Sequence, residues 1–185
     1  MSASRLANAP PTVFSGFSGS PDTLKAMVYA ALGPRGEQSM LVRSAGERIC
    51  AGLRPKDYLG EILAIRNWVA EYVRYQNDSL HVEIVKDPQR LIEEYQEHGI
   101  AVGDCDDIAL LIGTLALTLG RKAEFIVAGF GERGHYSHVF ARVLEPRSGQ
   151  WIITDPVAGI DEAGMLRKVT TYQVWSLDEV PKGDF

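Results

Sequence analysis

A helix with a broad apolar face is predicted between Ile108 and Leu119. Apolar side chains recur there at intervals of three and four residues, which places them on the same side of a helix. They are Ile108, Leu111, Ile112, Leu115, Ala116 and Leu119. Because so wide an apolar face has to be buried, the rest of the chain is expected to pack around this helix.

The segments before and after this helix have different patterns. Shorter helices are predicted upstream, at residues 21–32, 37–51, 55–73 and 87–98. Strands rich in β-branched and aromatic residues are predicted downstream, at residues 123–130, 136–144, 151–155 and 170–177. Helices followed by a run of strands are typical of an α+β fold with an antiparallel sheet.

The length of 185 residues is about that of one domain. Residues 1–20 are dominated by Ser, Ala, Pro, Gly and Asn, which bury too little apolar area to offset the entropy of ordering them. We therefore expect a flexible N-terminal arm over residues 1–20 and a single domain over residues 21–185. Phe14 and Phe17 are the side chains with which the arm would anchor on the domain or on a partner.

Charge and hydropathy argue against two kinds of partner. The net charge is −5 and there is no long run of Lys or Arg, so nucleic-acid binding is not expected. The longest apolar stretch, residues 108–119, is too short to span a bilayer, and the chain does not open with a signal-peptide pattern. The sequence therefore predicts a cytoplasmic protein that has no membrane partner.

Cys105 is the candidate nucleophile. It lies within Gly103-Asp104-Cys105-Asp106-Asp107, directly before the apolar helix, so its sulfur is expected at a helix N-terminus. The backbone N–H groups and the helix dipole there favour a thiolate. The alternative is an inert buried cysteine, but three aspartates indicate an exposed helix start, with one as the N-cap and all of them solvated. We therefore predict a lowered pKa for this thiol and faster alkylation than at Cys50.

A thiolate nucleophile needs an imidazole partner, and His138 is the candidate. The chain also contains His81, His98 and His135, but only His138 falls inside a strand pattern, whereas His135 lies in the loop before it. The next strand ends at Asp155, whose carboxylate would orient the imidazole.

The relative position of His138 and Asp155 depends on the register of one hairpin. A turn over residues 146–149 would place Asp155 opposite Phe140, diagonal to His138 and on the same face of the sheet. A shift of one residue would put the two side chains on opposite faces. For Asp155 alone, an acid that only ends a strand before Pro156 is the alternative.

A metal site is the competing interpretation of the same region. Its candidate ligands are Asp104, Asp106, Asp107, His135 and His138. The spacing argues against it, because His135 and His138 span a loop and a strand, and no second Cys or His lies at a zinc-site interval. We expect neither a metal nor another cofactor.

Three segments, in this order and spacing, resemble the transglutaminase-like superfamily. They are Gly103–Asp107 with the helix ending at Leu119-Gly120-Arg121, then His138-Val139-Phe140, and then Trp151–Pro156. The upstream stretch Val73–Asp78, with Glu83, Asp87-Pro88 and Leu91, is similar to members encoded by tailed phages and prophages. The resemblance covers residues from about 43 to 157.

The resemblance implies a papain-like core, in which Cys105 lies on a central helix packed against an antiparallel sheet that carries His138 and Asp155. It implies Cys105 as nucleophile, His138 as general base and acid, and Asp155 as orienting carboxylate. The backbone N–H of Cys105 would be one oxyanion donor. Relatives place a Trp or Gln upstream as the second donor; here Tyr75 and Gln76 are the candidates.

The activity implied is acyl transfer on an amide bond of a peptide or protein, by a cysteine peptidase or amidase. Transfer of the acyl group to an amine is a second possibility. A different class also remains open: a phage virion or assembly protein that uses the fold as a scaffold, with phage structural proteins as partners, a location in the virion and an incidental triad.

Overall fold

The computed structural model describes residues 12–14, 21–77, 83–130, 136–157 and 169–178. Within these ranges every predicted helical segment is a helix, with ends that differ from the prediction by a few residues. The helices are α1 Pro21–Leu32, α2 Met40–Ile49, α3 Tyr58–Tyr72, α4 Pro88–His98 and α5 Cys105–Thr118.

Side-chain caps explain where several of these helices begin. The Ser39 hydroxyl accepts the N–H of Val42, so α2 begins at Met40 rather than near residue 37. The Asp87 carboxylate accepts the N–H of Arg90 at 2.9 Å at the start of α4. Gly99 ends α4 with a φ of 74°, a left-handed conformation that favours glycine.

The strands predicted after residue 120 form one antiparallel sheet. It contains β5 Ala123–Gly129, β6 His138–Glu145, β7 Gln150–Ile153 and β8 Thr171–Ser176, in the order β7-β6-β5-β8. The hairpin between β6 and β7 pairs Arg142 with Ile153, which is the register predicted from the turn at residues 146–149. The α+β class predicted from the sequence is therefore confirmed.

Two further strand pairs lie outside this sheet. β1 Thr12–Phe14 pairs antiparallel with β3 Glu83–Val85, and β2 Val73–Tyr75 pairs parallel with β4 Ala101–Gly103. The sequence patterns did not predict these strands, because a strand of three residues is too short to show a pattern of its own. The backbone of β1 belongs to the predicted arm, and Phe17 lies outside the described residues.

Helix α5 is the centre of the fold. It is buried along its whole length, between α1, α2 and α3 on one side and β5 and β6 on the other. The sheet approaches closely at Gly113, where an added Cβ would lie 3.0 Å from Cε1 of the buried Phe125. No helix in the described ranges, α5 included, is long and apolar enough to cross a membrane.

Candidate active site

The segment Gly103–Asp107 forms the start of α5 through an N-cap and a close approach of the backbone. Asp104 is the N-cap, and its Oδ1 accepts the N–H groups of Asp106 at 3.0 Å and Asp107 at 3.3 Å. Cys105 is therefore the first residue of the helix. A Cβ at Gly103 would lie 2.7 Å from that of Asp107, so only glycine lets strand β4 pass this close.

The three aspartates around Cys105 are buried, and the prediction that they are solvated is wrong. Asp104, Asp106 and Asp107 are 4%, 0% and 1% exposed. They are enclosed because the whole of α5 is enclosed, and they are used as internal acceptors. Oδ1 of Asp107 accepts the backbone N–H of Lys86 at 2.8 Å, which ties the segment after β3 to the start of α5.

The sulfur of Cys105 is held between two hydrogen bonds. Its thiol donates to Oδ1 of Asp106 at 3.5 Å, and the sulfur accepts the backbone N–H of Val139, the residue after His138. Burial raises the pKa of this thiol well above its ordinary value, and the charges of Asp106 and Asp104 raise it further, while the Val139 N–H lowers it. The predicted lowering of the pKa is therefore contradicted.

His138 and Asp155 form a direct pair. Nε2 of His138 lies 2.5 Å from Oδ2 of Asp155, and both side chains are largely buried. The other oxygen of Asp155 accepts the N–H of Val157 at 2.8 Å. The carboxylate thus closes a turn with one oxygen and holds the imidazole with the other, so the two interpretations of Asp155 are compatible.

The imidazole of His138 is also flanked by aromatic rings. The ring of Phe140 stacks on it with centroids 5.9 Å apart, and the ring of Phe130 lies at 6.2 Å. Since Nε2 is bonded to Asp155, Nδ1 is the nitrogen that can serve a reacting thiol. In the described part of the chain, however, the hydrogen bonds of the Cys105 sulfur go to Asp106 and Val139, not to His138.

The other histidines do not compete for this place among the described residues. His98 is an exposed residue at the end of α4, 3.7 Å from Glu97. His81 and His135 lie outside the described residues. The described residues also contain no group of three or more His, Cys, Asp or Glu side chains arranged to hold a metal ion.

Tyr75 is placed beside the site by the pairing of β2 with β4. It lies opposite Gly103, and the N–H of the next residue, Gln76, donates to the Gly103 carbonyl at 3.0 Å. The hydroxyl donates to Oδ1 of Asn77 at 2.6 Å, and the residue is 42% exposed. Burial, followed by the acidic groups of Cys105 and Asp104, raises the pKa of Tyr75 to about 12. The hydroxyl therefore remains a hydrogen-bond donor at neutral pH.

Comparison with known proteins identifies a fold but no family. No family model and no curated protein matches the sequence. A crystal structure described as a "Putative Cysteine Protease from Cytophaga hutchinsonii" matches with a TM-score of 0.50 and 16% sequence identity. The match covers 91% of this chain and 59% of the other, so this chain spans less than two thirds of that protein's length. The likeness shows a cysteine-protease-like fold.

Proposed function

We propose that this protein is a cysteine peptidase or amidase that cleaves an amide bond by acyl transfer through Cys105, His138 and Asp155. The observation that carries the proposal is the buried hydrogen bond between His138 and Asp155. The residue after His138, Val139, donates its backbone N–H to the Cys105 sulfur. The proposal is supported by a candidate nucleophile at a helix N-terminus and by an imidazole already paired with an orienting acid. The cysteine-protease-like fold supports the same assignment.

The chemistry follows from the positions of these groups. The sulfur of Cys105 attacks the amide carbonyl while His138 accepts the thiol proton, and Asp155 holds the imidazole that becomes charged. His138 then donates the proton to the leaving amine, and a thioester remains on Cys105. Water attacks this acyl-enzyme and releases the acid. Because the pKa of the thiol is raised, its deprotonation accompanies the attack.

The test of this function is to label the nucleophile covalently, as a thioether with loss of a carboxylate, and to measure turnover of amide substrates. We would incubate the protein with a panel of peptide acyloxymethyl ketones and with peptide p-nitroanilides, and map adducts by mass spectrometry. The expected result is hydrolysis, with an adduct on Cys105 and none on Cys50 or on the variant Cys105→Ser. Adding a primary amine distinguishes hydrolysis from amine transfer by the product formed. If there were no turnover and no adduct on Cys105, the enzyme would be rejected and a scaffold in phage assembly would be favoured.

The second oxyanion donor is proposed to be the hydroxyl of Tyr75, together with the backbone N–H of Cys105. The support for Tyr75 is its pairing beside Gly103, its partial exposure and its protonated state. We expect Tyr75→Phe to lower kcat by about 10²- to 10³-fold, because the donor acts on charge that develops in the transition state.

The matched control for this variant is Tyr29→Phe, a partly exposed tyrosine on α1. Steady-state kinetics on the best p-nitroanilide should show the loss in kcat with little change in KM for Tyr75→Phe, and no loss for Tyr29→Phe. Equal kinetics for the two variants would remove Tyr75 from the site.

A further inference from the structure

The carboxylate of Asp106 lies directly against the nucleophilic sulfur. Asp106 is fully buried, its Oδ1 accepts the Cys105 thiol at 3.5 Å, and its own N–H is fixed by the N-cap Asp104. Cys105 is 4% exposed, and its sulfur also receives the backbone N–H of Val139. The thiol proton therefore already has an acceptor, and this acceptor is not the imidazole.

We propose that Asp106 is a positioning residue that holds Cys105 as a neutral thiol in the resting protein, so that attack on a substrate requires this hydrogen bond to be exchanged for one to His138. The first part stands on the geometry around the sulfur. Only the exchange with His138 rests on the proposed function.

Two effects of Asp106 act in the same direction. The carboxylate stabilises the protonated sulfur by accepting its S–H bond, and its negative charge repels a thiolate across a short, buried distance. The Val139 N–H opposes both, as a donor that stabilises the thiolate. Burial raises the pKa of the thiol in the same direction as Asp106 does. Removing the charge of Asp106 is therefore expected to lower this pKa but not to bring it below the ordinary value.

Other ionisable groups lie on the same helix turn and on the neighbouring strands, but their side chains bond elsewhere. Asp104, on the same helix turn, directs its carboxylate to the backbone of Asp106 and Asp107. Tyr75 on β2 bonds to Asn77, and on the sheet side His138 bonds to Asp155. Among the described residues, Asp106 is the one whose charged side chain contacts the sulfur.

A neutral thiol in the resting state has a functional consequence. The thiolate, and not the thiol, reacts with alkylating agents and with peroxide, so a protonated Cys105 resists both. Reactivity would then appear only when a bound substrate brings the carbonyl and the imidazole to the sulfur. The arrangement makes the nucleophile selective for its substrate over small electrophiles.

The experiment measures the alkylation of Cys105 by iodoacetamide as a function of pH, without any substrate. The background is Cys50→Ala, since the pKa of Cys50 is raised to about 11 and would overlap the titration. We expect Asp106→Asn to move the midpoint down by about one unit, which makes alkylation at neutral pH about tenfold faster. The plateau rate at alkaline pH should stay unchanged, because access to the sulfur is the same.

The matched control is Asp107→Asn, the adjacent buried aspartate, whose Oδ1 bonds to the Lys86 backbone instead of the sulfur. Its midpoint should equal that of the background. An unchanged midpoint in Asp106→Asn, or the same shift in both variants, would overturn the proposal. If Asp106→Asn fails to fold, the alkylation midpoint of Cys50→Ala alone still tests the proposal. A midpoint at or below the ordinary thiol value of about 8.5 would overturn the proposal.

This test separates the inference from the proposed function. A shifted midpoint in a protein without amidase activity would support the role of Asp106 and reject the enzyme. In an active enzyme, the pH profile of kcat/KM for Asp106→Asn should extend further to the acid side than that of the parent. A role for Asp106 in folding alone would change the amount of active protein and leave the profile in place.

Discussion

Replacing His138 by alanine is expected to lower kcat/KM for amide hydrolysis by about 10²- to 10⁴-fold. The imidazole is the proposed acceptor of the thiol proton and its donor to the leaving amine, and Asp155 is bonded to it at 2.5 Å. The loss in kcat/KM should lie toward the larger end of this range. Because the pKa of Cys105 is raised, the variant has no pool of thiolate at neutral pH from which to react.

The matched control is His98→Ala, which removes an exposed imidazole at the end of α4. Steady-state kinetics on the same peptide p-nitroanilide should show no loss for His98→Ala. Raising the pH should restore part of the activity of His138→Ala relative to the control measured at the same pH, as hydroxide replaces the missing base. A His138→Ala variant as active as the control would exclude the imidazole from the reaction and leave Cys105 without its proposed base.

The position of His138 relative to Asp155 is set by local sequence, which is why it could be predicted. The turn over residues 146–149 fixes how β6 and β7 pair, and the period of two along a strand then decides which side chains share a face. In the same way, Asp87-Pro88 and Gly99 mark the two ends of α4 through capping and backbone conformation. Such signals act between residues that are close in sequence.

The surroundings of Cys105 depend on contacts distant in sequence, and these were not predicted. Charged residues at a helix start are ordinarily solvated, but here α5 lies inside the fold, and the backbone of Lys86, 21 residues away, donates to Asp107. Tyr75 reaches the site through a parallel pair of strands of three residues each, too short to leave a periodic pattern. The sequence could name Tyr75 as a candidate but not place it.

The pKa of Cys105 shows why one local rule was not enough. A helix N-terminus contributes about half a unit of positive charge, and its effect on a group is modest where water is present. Burial of a thiolate beside buried carboxylates opposes it and has the larger effect, so the pKa rises. The sequence shows the helix terminus, whereas burial is known only from the packed structure.

Replacing Phe125 by alanine is expected to lower the free energy of unfolding by about 3–5 kcal/mol. Phe125 is fully buried on β5, and its ring fills the space that Gly113 leaves open on α5. Removing the ring leaves a cavity between the central helix and the sheet, next to Gly113. Since domains are stable by about 5–15 kcal/mol in total, this single change removes a large fraction of the stability.

The matched control for Phe125→Ala is Phe130→Ala, since Phe130 lies just beyond the same strand and is 37% exposed. Thermal unfolding followed by circular dichroism should show a decrease in Tm of about 10 °C or more for Phe125→Ala. The decrease for Phe130→Ala should be far smaller, because its ring makes fewer buried contacts. Equal shifts would contradict the packing of α5 on the sheet at Gly113. That packing also holds the helix N-terminus, and so Cys105, against the strand that carries His138.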